Sequence, residues 1–111
     1  MAALHKNLVS GSWGKLSFAA QLANIGSEVS RVIHWQEAGD KVEKERALAR
    51  TLELLDLTLT DSEQQSHTNE LARLREVLCD VFAGRNEYGA SFESLEDYFL
   101  PFALLSLKGR H

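Results

Sequence analysis

The chain has 111 residues, 44% of them hydrophobic and 25% charged, with one proline and seven glycines; this is the size and composition of one ordinary folded domain and excludes a disordered or collagen-like chain. A net charge of −4 lacks the basic excess that a broad nucleic-acid or anionic-membrane surface needs, although a local basic patch stays open. The single cysteine, Cys79, rules out an intramolecular disulfide and fits a reducing compartment.

Residues 1–16 carry little periodicity and contain Gly11 and Gly14, so they read as a short N-terminal arm that docks through Leu4, Leu8 and Trp13. Residues 17–111 read as a single helical domain. The opening residues have no apolar core of signal-peptide length, and the longest apolar stretch, Tyr98 to Leu107, is too short to span a bilayer. The expectation is a cytoplasmic protein with no membrane partner.

The first helix is expected from a Ser17 cap to a stop at Ala38-Gly39. At 100° per residue it shows three faces. Phe18, Leu22, Ile25, Val29, Val32 and Ile33 form an apolar stripe; Ala19, Ala23, Gly26 and Ser30 form a strip of small residues that lets a neighbouring backbone approach. The third face is Gln21, Asn24, Glu28, Arg31 and Trp35, the part of the helix whose chemistry can be read as a ligand or partner groove.

Asp40 followed by Glu43 has the form of a capping box, which starts a second helix running to about Thr60. Its expected core stripe is Leu48, Leu52, Leu55 and Leu59, with Leu54 and Leu57 hinting at a second contact. Asp61 to His67 reads as an exposed loop or a frayed helix start. The third helix, Thr68 to Ala83, gathers Leu71, Leu74, Leu78, Val81 and Phe82 and ends at Gly84. Arg75 falls inside that apolar sector, where it either snorkels outward or meets a carboxylate, Glu28 or Asp56. Ser91 caps a fourth helix to about Leu107, with Leu95, Tyr98, Phe99, Phe102 and Leu105 on its core side. Pro101 is expected to kink or interrupt it. Leu100, Leu104 and Leu107 point away from that side, more apolar surface than the domain alone covers, and suggest a homodimer interface.

No alternating strand pattern occurs, so the fold expected is all-α: an antiparallel four-helix bundle with a short N-terminal arm and a proline-kinked last helix. Recognised catalytic chemistry is missing. There is no Glu-x-x-His for a di-iron bundle, no phosphate-binding loop, no dinucleotide fingerprint and no nucleophile–base pair. Arg31 and His34 stand too close for the arginine-to-histidine spacing of small helical HEPN-class ribonucleases. His5, His34, His67 and His111 are scattered, and Glu63 lies one turn from His67 only if the polar loop is helical, so no metal and no cofactor are assigned. Cys79 reads as a packed thiol. The loop residues Glu87 and Tyr88, at a helix junction, are kept as a binding candidate, with Tyr88 packing over the bundle end.

In order, the segments ANIGSEVSRVIHW, RALARTLELLDLTLTD, RLREVLCDVF and EYGASFESLEDYFLPFALL resemble a family of small uncharacterised bacterial helical proteins over most of Ser17 to Leu107. The resemblance implies a compact helical bundle in a bacterial cytoplasm and transfers no catalytic residue. Three functions are weighed. The first is a non-enzymatic protein-interaction module or oligomeric adaptor, a homodimer or a binder of another protein. The second is small-ligand or nucleotide binding or processing in a groove of Glu28, Arg31, Arg75 and Asp56. The third is an RNA-associated accessory protein using Arg73, Arg75 and Arg85.

Overall fold

Over residues 12–61 and 66–108, which the computed structural model describes, most helix ends are set by caps local to a few residues. A single 3-10 turn at Trp13–Lys15 precedes α1 (Phe18–Ala38), α2 (Lys41–Thr60), α3 (Thr68–Ala83) and α4 (Phe92–Lys108). The Ser17 hydroxyl accepts from the Ala20 amide, and Asp40 Oδ1 accepts from the Glu43 amide, so both free helix starts are capped. Between them Gly39 takes φ 77°, and the amide of Asp40 reaches back to the Trp35 carbonyl, which closes α1 and turns the chain within two residues. At α4, Ser91 and Ser94 cap reciprocally, each hydroxyl accepting from the other's amide.

Cross-helix contacts set the architecture. Trp13 meets Thr58 and Glu28 meets Arg50, so α1 and α2 run antiparallel. Lys44 reaches the Phe82 carbonyl while Asp56 meets Arg75, so α3 is antiparallel to α2. Glu70 accepts from Tyr98 and Phe82 packs on Phe92, which reverses α4 against α3. Phe18 against Phe102 and Gly26 against Phe99 close the ring with α4 antiparallel to α1. The described chain is therefore an all-α antiparallel four-helix bundle in which α1 packs on α2 along one flank and on α4 along the other.

The apolar stripe of α1 is the core: Leu22, Ile25, Val29, Val32 and Ile33 are buried together with Leu55, Leu71, Leu78 and Phe99. Burying each such side chain stabilises by about 1.5–3 kcal/mol. The small strip of α1 is used as expected. A Cβ on Gly26 would lie 2.8 Å from Phe99 Cβ, so only glycine permits α4 to approach this closely.

Two details differ from the sequence expectation. The buried face of α2 is Ala47, Thr51, Leu54, Leu55 and Thr58, whereas Leu48, Leu52 and Leu59 are half-buried. Small residues hold that face close to its neighbour, and the two threonine hydroxyls donate to the carbonyls of Ala47 and Leu54, which hides their polarity. The helix α4 runs to Lys108, close to the expected end, with Pro101 inside it on the exposed side. Leu105, expected in the core, is 55% exposed. Phe102 already lies opposite Phe18 in the first turn of α1, so the antiparallel path carries the end of α4 beyond the start of its partner helix.

Candidate functional site

Most of the polar third face of α1 becomes structure. Gln21 is fully buried: its amide nitrogen donates to the Trp13 carbonyl and to Asp61. It lies only about 40° from Ile25 around the helix, and the Trp13 turn covers it. The Trp13 indole in turn donates to Thr58, so the arm docks as expected at this residue, while Leu4 and Leu8 lie outside the described residues. Gln21 therefore belongs to the core and not to a groove. Asn24 is exposed and donates to the Ala20 carbonyl of its own helix. Trp35 is half-buried against the core beside His34.

Glu28 sits between two arginines. Its side chain is 13% exposed, with Arg31 at 3.1 Å on the same helix and Arg50 of α2 at 3.2 Å. Arg75 does not join them. It pairs with Asp56 at 3.0 Å, and this hydrogen bond is the main reason its pKa is raised. Arg50 and Asp56 project about 120° apart around α2, so the structure divides the expected groove into two separate ion pairs. Of the two carboxylates considered for Arg75, Asp56 is the partner.

The other arginines considered for RNA are also engaged. Arg73 lies over the Tyr88 ring at 4.7 Å, and Arg85 lies 3.8 Å from both Asp80 and Glu87. With each cation facing a carboxylate or a ring, they form no open basic stripe.

The Glu87-Tyr88 loop is organised by a residue that sequence reasoning passed over. Asp80, 1% exposed, accepts from the amides of Glu87 and Tyr88 and so ties the α3–α4 connection to the end of α3. An aspartate in the last turn of a helix opposes the helix dipole. That misplacement was the available signal that another partner rewards it. Tyr88 packs against α3, where its hydroxyl donates to Glu76; this bond is the largest cause of its raised pKa. Asn86 and Gly89 take positive φ in the same loop.

Between α3 and α4 lies a small cleft of about 250 Å3, floored by Leu74, Val77 and Leu95 and rimmed by Glu70, Arg73 and Tyr98. Tyr98 is raised well above the ordinary tyrosine range by burial first and by its bond to Glu70 second. A second groove, about 260 Å3, runs between α1 and α4 over Ala23, Gly26, Ser27 and Ser30. Beside it the outer face of α4 leaves Leu100, Leu104 and Leu107 55–60% exposed.

Among the described residues no group of three or more His, Cys, Asp or Glu is placed to hold a metal ion, and no helix is long and apolar enough to cross a membrane. His67 stacks on Phe18 and lies 3.5 Å from Glu70, while Glu63, His5 and His111 are outside the described residues. Cys79 is a half-buried free thiol. No protein-family model, curated protein or solved structure matches the chain.

Proposed function

We propose that the protein is a non-enzymatic, cytoplasmic interaction module that acts as an oligomeric adaptor, with the outer face of α4 as its docking surface and a second copy of the chain as the occupant. One observation carries the reading. Of the six large hydrophobic side chains exposed among the described residues, four, Leu100, Leu104, Leu105 and Leu107, lie within eight positions on α4. Scattered exposed leucines are ordinary, but Leu100, Leu104 and Leu107 fall within about 60° of one helix, and such a patch marks a contact surface. A second copy presents the same leucines, so a two-fold pairing covers both sets at once. The ligand-groove reading has lost its convergence, since Glu28 and Arg75 serve separate ion pairs.

Light scattering coupled to size-exclusion chromatography over a dilution series tests it. The expected result is a concentration-dependent dimer that Leu104→Glu combined with Leu107→Glu converts to a monomer with the helicity and Tm of the dilute wild-type chain. A protein that stays monomeric at every concentration, or elutes with bound nucleotide, would remove the reading.

A further inference from the structure

We propose that the two copies pair α4 against α4 in antiparallel orientation, the leucine ridge of each seated in the α1/α4 groove of the other. The proposal rests on the self-association reading above and adds the geometry of the contact. It is carried by three features of the same surface.

The first is the ridge. At 100° per residue Glu96, Asp97, Leu100, Leu104, Leu107 and Lys108 fall within a sector of about 120°, and all six are exposed. The second is the groove. Gly26 lets α4 sink against α1, and the short side chains of Ala23, Ser27 and Ser30 leave the seam unfilled, a furrow of about 260 Å3 whose far wall is Phe99, Leu100 and Ala103. Leu100 belongs to both, so ridge and furrow are adjacent on one face. A two-fold contact requires a patch that complements itself, and a ridge beside a furrow does so.

The third is charge. The acidic pair Glu96-Asp97 precedes the leucines and Lys108 follows them. When two copies of α4 cross antiparallel with Leu100 beside Leu104, the two-fold axis passes near residue 102. Lys108 of one copy then lies over Glu96 and Asp97 of the other, because both pairs straddle the same midpoint. A parallel pairing would instead set Lys108 against Lys108 and carboxylate against carboxylate, which like-charge repulsion disfavours.

Sedimentation equilibrium on the full chain and three sets of variants tests orientation and groove separately. Lys108→Glu should raise the dissociation constant about threefold to tenfold, an effect that shrinks with added salt, as expected for exposed charges at a contact rim. Glu96→Lys with Asp97→Lys should do the same, and all three changes together should restore dimerisation. Ser30→Tyr, which fills the furrow from an exposed position, should weaken the dimer about tenfold or more while leaving the Tm of the dilute monomer unchanged. A dimer broken by Leu104→Glu but indifferent to the charge swap and to Ser30→Tyr overturns this geometry and leaves the module reading standing. A chain monomeric throughout overturns both, and a loss of monomer stability in Leu104→Glu would then assign the leucines to a contact within the chain.

Discussion

The helices α1 and α4 lie side by side but are covered to different extents. Every apolar residue of the α1 stripe is buried or half-buried, because α2 flanks it on one side, α4 on the other, and the Trp13 turn closes over Gln21. In α4 Leu95 and Phe99 are buried, while Leu100, Leu104 and Leu107 face outward and Leu105 is exposed where the helix end passes the start of α1. Both helices are rich in apolar residues, so hydrophobic content does not separate them. What differs is the number of neighbours, and a helix apolar all round has a surplus face when only one side is strongly packed.

That contrast predicts unequal costs for removing the same side chain. Leu22→Ala in α1 should destabilise by about 3 kcal/mol, through lost burial and the cavity left behind. Leu104→Ala on the outer face of α4 should change monomer stability by no more than about 0.5 kcal/mol. Urea unfolding at a concentration that keeps the protein monomeric measures both, and equal costs would mean that the outer face of α4 is buried within one chain.

The close approach between the two helices is the next point to test. Gly26→Val places branched carbons where a Cβ alone would already lie 2.8 Å from Phe99 Cβ. The obstructing atom is at the root of the phenylalanine, so rotating the ring does not relieve the clash. We expect a loss of about 2–3 kcal/mol, an overpacking penalty partly offset by valine's better helix propensity. A neutral result would show that the seam gives way, and with it the furrow beside it.

A smaller loss is expected at the α3–α4 connection, the segment that delivers α4 to its place. Asp80→Ala leaves the amides of Glu87 and Tyr88 without their acceptor and should cost about 1–3 kcal/mol. Asp80→Asn keeps one acceptor oxygen and should recover part of that. Hydrogen exchange at the two amides distinguishes a local loosening of the loop from global destabilisation.

Periodicity located all four helices, and Ser17, Asp40, Gly39, Gly84 and Ser91 mark five of the eight ends by chemistry local to a few residues, whereas α2 ends without a glycine and α3 starts without a side-chain cap. The α2 stripe was misplaced because pattern reading ranks leucine above threonine, whereas close packing admitted Thr51 and Thr58 once their hydroxyls had bonded within the helix. The polar face of α1 was legible as a set of residue types but not as a site. Whether Glu28 meets Arg75 or Arg50 depends on the rotation of α2, which no local signal specifies. Asp80 did carry a local signal, its unfavourable place in the last turn of α3, but its partners are backbone amides, which residue types do not reveal.

The smallest expected effect concerns pH and the inner edge of α4. The Tyr98 pKa is raised above the ordinary tyrosine value of 10.0, mainly because burial penalises the phenolate and secondarily because the hydroxyl donates to Glu70. The fold thus favours the neutral phenol. Its contribution is complete below the unfolded value of 10.0 and is progressively lost as pH rises toward the higher folded value. Stability of the protein should therefore fall above about pH 10, and Tyr98→Phe should flatten that alkaline limb while leaving the neutral region little changed. Glu70→Gln separates the two causes. With burial dominant, removing the carboxylate charge should retain most of the alkaline sensitivity; loss of the whole effect in Glu70→Gln would make the hydrogen bond the main cause. It would also mean that the α3/α4 seam is wetter than the burial of Leu95 and Phe99 beside it implies, and the contrast between the two faces of α4 would narrow accordingly.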